Sequence, residues 1–375
     1  MGQSLLNILA LSYKEVKSLI KDLPLVVLIG VIFTFVVYTV HQQVRSEVKN
    51  ASIAVVDEDA STLSQAMVGD LIPPYFKEPK TIALSQVQKG LDQGNYIFVL
   101  HFPSGFQGKV ANHQDSKIQL WVDATSMTQA GIGTAYIGRI FTQELLHFYH
   151  LDSLDNLLPN QENSKIYFNQ NNDSGRYSSV MQLVMNTTLL SLILMGAAVI
   201  REKEHGTIEH LLVMPVGIIE IAIAKIVANG GVILLTVLAA LYGVVQGLLA
   251  IPIHGSFFLI LLSCAAYIFA ATSLGMLLAT LAPSMPQFGL IATPIIMISH
   301  LTSGSASPVE AMAPKVQSVV NFSPTTHFVY NIQDLVFRGA HFHAIAFSLF
   351  VLIIYGMIFF IFALLRFRTM LQRFN

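Results

Sequence analysis

The chain has 375 residues, 53% of them hydrophobic and only 11% charged, with a formal net charge of −1. A soluble globular chain carries about 25% charged residues, so these figures exclude an ordinary water-soluble enzyme and a disordered chain. Near-neutral charge excludes a polycationic nucleic-acid binder, and the single cysteine, Cys264, excludes an intramolecular disulfide or a cysteine-based zinc site.

Residues 1–22 place Leu5, Leu6, Ile8, Leu9, Tyr13, Val16, Leu19 and Ile20 at spacings of three and four, with Lys14, Lys17 and Lys21 between them. This predicts an amphipathic helix lying on the cytoplasmic membrane surface; the plainer alternative is a polar extension of the first span. Leu23–Val40 is the first apolar stretch near the length that crosses a bilayer. Its rival reading is a signal peptide, which the lead of residues 1–22 and the missing small-residue cleavage site argue against.

Residues 41–178 contain no spanning segment and carry 10 Lys/Arg and 14 Asp/Glu. They predict an extracytoplasmic α/β domain inserted between the first and second spans. Ala51–Asp57 reads as a buried strand, and Asp57-Glu58-Asp59-Ala60-Ser61 as a turn into a helix capped by Ser61. Ser85 and Gln88 have capping-box spacing. Tyr96–Phe102 and Ile118–Val122 read as strands, and 126–150 as a long helix. Three consecutive acids suggest a metal, but calcium-loop spacing is absent, which favours a capped turn. Trp121 reads as a packed sheet position before an exposed contact.

Five further spans follow: Ser179–Ile200, about 221–247, about 256–281, about 285–303 and about 344–365. No Asp, Glu, Lys or Arg occurs anywhere from 226 to 309; the breaks at 251–255 and 282–286 are marked by Pro and Gly. The expected fold is an all-α membrane bundle of six transmembrane helices. Lys14, Lys17 and Lys21, then Arg201 and Lys203, then Arg366, Arg368 and Arg373 all fall on one side of six spans. That side is cytoplasmic by the positive-inside rule, with both termini inside and 366–375 a cytoplasmic tail.

Chemistry of its own is missing from the chain. No Walker A pattern occurs, so ATP hydrolysis is not expected. His147 and His150 read as a solvated helix face before a metal pair, and no cofactor or metal is expected on the chain. Apart from Lys225 at a span end, the spans lack Asp, Glu, Lys and Arg, which argues against an ion-coupled carrier. Gln182, Asn186, Thr187, Thr272 and Thr293 either hydrogen-bond between helices or line a substrate path; residue type favours the first.

The charged run that follows the second span is Arg201-Glu202-Lys203-Glu204-His205-Gly206-Thr207-Ile208-Glu209-His210-Leu211-Leu212-Val213-Met214-Pro215. A helix capped by Thr207 and closed by Pro215 offers a grip to a soluble partner; the plain alternative is an anchoring loop. This run resembles the signature of ABC-2 type transporter permeases. The turn at Val56–Ser61, the stretches Val122–Ile137, Leu281–Gln287, Ser303–Pro308 and Pro324–Phe328, and Phe337–Gly339 extend the resemblance over essentially the whole chain. Residues 216–220 depart from it, since relatives tend to have a threonine–proline pair there.

The resemblance implies a permease subunit that moves a hydrophobic or amphipathic compound, a drug or lipid, outward across the bacterial inner membrane. ATP would be bound by a separate ATP-binding cassette subunit docking on a coupling segment at 201–220. Arg201, Glu202, Glu204, His205, Gly206, Thr207, Glu209 and His210 match that motif here. It also implies a second permease, identical or different, a periplasmic membrane-fusion adaptor as a partner, and a partly re-entrant outer segment at 304–343. The alternative function is a membrane-anchored periplasmic scaffold or binding protein, for which six spans are more than an anchor needs.

Overall fold

The computed structural model describes residues 2–43, 51–73, 75–123, 127–149, 174–204, 216–307, 309 and 312–371. They belong to two compact units, residues 1–44 with 167–375, and residues 45–166.

The first unit is helical. Helix α1 (Gly2–Lys21) stops at Asp22, whose carboxylate accepts the Leu25 N–H and caps α2 (Leu23–Gln43), with Pro24 in its first turn. Pro costs nothing there because that N–H has no helical partner. The middle of α2, Ile32–Val36, is π-helical. Helix α7 (Ser174–Glu204) is followed by α8 (Ile218–Leu248), whose last part, Ala240–Leu248, is also π-helical. Then come α9 (Phe257–Leu281), α10 (Met285–Thr302), α11 (Pro314–Val320), α12 (Pro324–Val336) and α13 (Phe342–Leu371).

Helices α7, α8 and α9 form the interior. Val184, Leu194, Ile233, Val237, Ile260 and Tyr267 join Phe328 and Leu335 of α12 in one buried cluster. Met195, Ile221, Met276, Phe288 and Phe367 anchor a second. Small residues set the close crossings, as expected where dispersion rather than water drives packing. A Cβ on Gly275 of α9 would lie 3.0 Å from the Leu192 carbonyl of α7, and one on Gly196 of α7 would run into the Phe288 ring of α10. Outside this interior, α2 and α13 leave Val27, Phe35, Phe347, Phe350, Ile361 and Phe362 exposed.

Among the described residues five helices are long and apolar enough to cross a membrane, α2, α7, α8, α9 and α13. The sixth expected span, 285–303, is the helix α10, which does not reach that standard. Pro286, Gln287, Pro294 and His300 dilute its apolar content. Its ends nevertheless meet the ends of α7. The Met285 N–H donates to Glu204 at one end, and Tyr177 Oη donates to the Gly304 carbonyl just past the other. Other bounds move outward by a turn. Both ends of the 41–178 segment are helical, since α2 runs to Gln43 and α7 starts at Ser174, and Arg366 and Arg368 lie within α13. The 304–343 segment contains α11 and α12, each opening on a proline.

The second unit holds a four-stranded sheet in the order β2-β1-β3-β4, made of β1 (Ile53–Asp57), β2 (Lys80–Thr81), β3 (Phe98–Phe102) and β4 (Gln119–Val122). β1 is parallel to β2 and β3, in register Val55 with Leu100, and β4 is antiparallel to β3, Trp121 opposite Val99. A strand buried on both faces reads as a continuous apolar run, as Ile53–Val56 does. Helices α3 (Thr62–Gly69), α4 (Val87–Asp92), α5 (Phe106–Ala111) and α6 (Met127–Phe148) complete it.

Ser61 caps α3, exchanging hydrogen bonds with Ser64. The acidic turn caps a second helix too: the Asp59 carboxylate accepts the N–H groups of Phe106 and Gln107 at the start of α5, while Gln107 Oε1 accepts the Leu63 N–H of α3. The capping box expected at Ser85 and Gln88 is displaced: Gln86 accepts the Ala83 N–H, and Gln88 donates to Asp92 one turn on. A short 3₁₀ turn at Leu84–Gln86 shifts the helix start by that amount. Trp121 is half-buried and stacks on His101.

Candidate functional site

The last turn of α7 is Arg201-Glu202-Lys203-Glu204, and its four charges go to four different places. A helix turns 100° per residue, so four consecutive side chains necessarily point around the full circle. Arg201 Nη1 reaches Asp22 Oδ2 at 3.1 Å, at the junction of α1 and α2. Glu202 Oε1 accepts from Lys225 Nζ of α8 at 2.7 Å. Lys203 Nζ donates to the carbonyls of Ala279 and Ala282 at 2.7 and 3.0 Å, at the C-terminus of α9. Glu204 Oε1 accepts the Met285 N–H, the first of α10, at 3.0 Å. The last two contacts match the helix dipole, a cation at a C-terminus and a carboxylate at an N-terminus.

Lys225 is the centre of this node. Only 1% exposed, its Nζ donates to Glu202, to Glu15 Oε1 of α1 at 2.8 Å and to the Ala198 carbonyl of α7 at 3.3 Å. Three acceptors satisfy all three ammonium protons, which is what burying a charge requires. Asn7 donates to Glu220, and Ser12 to the Ala224 carbonyl, so α1 is laced along α8 by polar contacts.

Among the sequence-predicted coupling residues, Arg201, Glu202 and Glu204 are therefore engaged inside the chain. His205, Gly206, Thr207, Glu209 and His210 lie outside the described residues. The description resumes at Val216, and Glu220 accepts the Gly217 N–H at the start of α8.

Of the five predicted path residues, Gln182 and Asn186 bond to each other and the other three do not bond to them. Gln182 donates to Asn186, and Asn186 donates to the Ile32 carbonyl at 2.8 Å. Ile32 opens the π-helical stretch of α2, where the ladder shifts and frees carbonyls, so Asn186 ties α7 to α2. Thr187 and Thr272 each bond the carbonyl one turn back on their own helix. Thr293 is exposed on α10. A buried hydroxyl chain that sequence reading missed runs from Thr188 of α7 through Tyr267 of α9 to Thr325 of α12, and Tyr267 stacks on Phe328 at 4.1 Å. His300 is half-buried, its Nδ1 3.3 Å from the hydroxyl of Ser305. Among the described residues no group of three His, Cys, Asp or Glu is placed to hold a metal.

The missed members of the node, Lys225, Glu15 and Asp22, left one sequence signal. Lys225 stands alone before the longest charge-free run, and a lone buried lysine needs counter-ions from elsewhere.

The profile of the ABC-2 family transporter protein matches residues 22–365. The chain belongs to the ABC-2 transporter family. It is 38% identical to the inner membrane transport permease YhhJ of Escherichia coli K12, over 96% of this chain and 97% of that one. It is 26% identical to the probable multidrug ABC transporter permease YbhR of the same strain, over 87% of this chain and 89% of that one. ABC-2 permeases are membrane subunits that work with an ATP-binding cassette ATPase. The apolar helices and these relatives make this permease an integral inner-membrane protein.

Proposed function

We propose that this ABC-2 permease is the membrane half of an ATP-driven exporter that moves a hydrophobic or amphipathic compound outward. The observation that carries the reading is the last turn of α7. Whatever pulls on the segment after Glu204 pulls on α1, α2, α8, α9 and α10 at once through Arg201, Glu202, Lys203 and Glu204. A separate ATPase docking on 201–220 would have a lever on most of the bundle, as rigid-body switching requires. His205, Gly206, Thr207, Glu209 and His210 are then the direct docking residues, and Arg201, Glu202 and Glu204 transmit.

Helix α10 acts in this reading as the sixth span. Its 18 residues rise about 27 Å at 1.5 Å each, close to the hydrocarbon thickness of about 30 Å, and its ends meet those of α7. Both termini are then cytoplasmic, and the sheet-containing unit is periplasmic, available to an adaptor. Pro294 removes the N–H that the Leu290 carbonyl would have accepted, beside the exposed Thr293. Polar backbone at that depth is not left against lipid, which supports a second permease or the cargo path on this face. Gln182 and Asn186 line the path only if the contact between α7 and α2 opens. The multidrug name of one relative favours a drug-like cargo.

The test is to purify the tagged chain in mild detergent and identify by mass spectrometry what accompanies it. A stoichiometric ATP-binding cassette protein is expected, and its loss on substituting His205, Thr207 and Glu209 with alanine while the permease still folds. Reproducible recovery of the chain without any ATPase overturns the reading.

A further inference from the structure

The charges at the node end of the helical unit are sorted by whether the chain itself engages them. Among the described residues every carboxylate there is engaged within the chain: Glu15 and Glu202 by Lys225, Asp22 by Arg201, Glu204 by the Met285 N–H, and Glu220 by Asn7 and the Gly217 N–H. Lys14, Lys17 and Lys21 are exposed and form no ion pair among the described residues. Spaced three and four apart, they make one stripe along α1.

Helix α1 has two further stripes. Ser12, Glu15 and Leu19 face α8 and the bundle. Leu5, Leu9, Tyr13 and Ile20, between 57 and 70% exposed, form an apolar stripe between the packed face and the lysines. An apolar stripe flanked by lysines, on a helix one residue from a spanning segment, fits the boundary of headgroups and acyl chains. We propose that α1 is a docking surface for anionic phospholipid: the apolar stripe enters the acyl region and Lys14, Lys17 and Lys21 collect acidic headgroups. Each lysine near an anionic surface favours binding by about five-fold. The seated helix holds Glu15 against Lys225, so lipid composition bears on the node itself.

Tyr13→Trp in a Trp121→Phe background puts the only tryptophan in the middle of the apolar stripe. The full-length protein is reconstituted into vesicles of phosphatidylcholine and phosphatidylglycerol in equal parts, with brominated chains on one lipid or the other. Brominated phosphatidylglycerol is expected to quench several-fold more strongly than brominated phosphatidylcholine. Replacing the three lysines by glutamine removes the preference, and replacing them by arginine keeps it, which separates charge from misfolding. Equal quenching by both lipids overturns the proposal, as does a preference that survives the glutamine variant. Quenching by neither overturns it too, and places the stripe against protein. The readout involves no transport, so failure of the exporter reading leaves it standing.

Discussion

Lys225 and Glu202 meet at 2.7 Å although α7 and α8 are separated in sequence by residues 205–217. The lysine side chain is 2% exposed and the glutamate 20%. Lys225→Met removes the cation and leaves two carboxylates facing each other. Breaking a buried pair from one side costs about 3–5 kcal/mol, so thermal unfolding in detergent should show a large loss. Adding Glu202→Gln and Glu15→Gln to Lys225→Met should restore part of it. A triple variant no better than Lys225→Met would show that the charges are not what holds the node.

Gly196 accepts the Phe288 ring so closely that any Cβ displaces it. Gly196→Ala should push α10 off α7, by about 1–3 kcal/mol as for other overpacked sites. Phe288→Leu in the same chain should recover most of that. Protease sensitivity around 283–290 reports the displacement independently of melting.

Asp59 gives the second unit an acid-sensitive cap. Burial raises its pKa, but the Ser61 side chain and the N–H groups of Gln107, Phe106 and Gly105 outweigh that and hold it below its ordinary value. A carboxylate with a depressed folded pKa contributes stability that is present above its unfolded pKa, about 3.9. That stability is lost as pH falls through the folded pKa. Asp59→Asn should cost about 1 kcal/mol at neutral pH, as for a lost helix cap, and flatten stability below pH ~4. Hydrogen exchange of the Phe106–Ala111 amides, followed against pH, checks both; an unchanged acid limb would rule out Asp59 as its source.

Tyr267 joins α7 to α12 by its hydroxyl and holds Phe328 by its ring. Tyr267→Phe keeps the stack and should cost about 1–3 kcal/mol, since the partners Thr188 and Thr325 are buried. Tyr267→Ala should cost about 3–5 kcal/mol, in the range for deleting a large core ring. Equal losses for the two variants would mean that the ring contributes nothing.

Ala250 has a φ of +52°, between the π-helical end of α8 and Pro252. A left-handed backbone costs a residue with a Cβ about 1–2 kcal/mol. Ala250→Gly should raise the melting temperature and Ala250→Val should lower it; a glycine variant that melts no higher than the parent would show that relieving this backbone strain gains nothing.

Sequence by itself determined what depends on local composition. Apolar runs of spanning length, the three-and-four spacing of α1, the buried run of β1 and the Ser61 cap are each legible within about 20 residues, because helix and strand periods repeat over that distance. The 201–215 run pointed to the family that the profile then matched. Tertiary structure decided where the charges go. Glu15 and Lys225 lie 210 positions apart, and Arg201 and Asp22 lie 179 apart. No local pattern encodes such pairs; the packing of α1 and α7 on α8 brings them together. For the same reason Arg201, Glu202 and Glu204, which a charge-dense run presents as free for a partner, are engaged by other helices of the chain, at Asp22, at the buried Lys225 and at the start of α10.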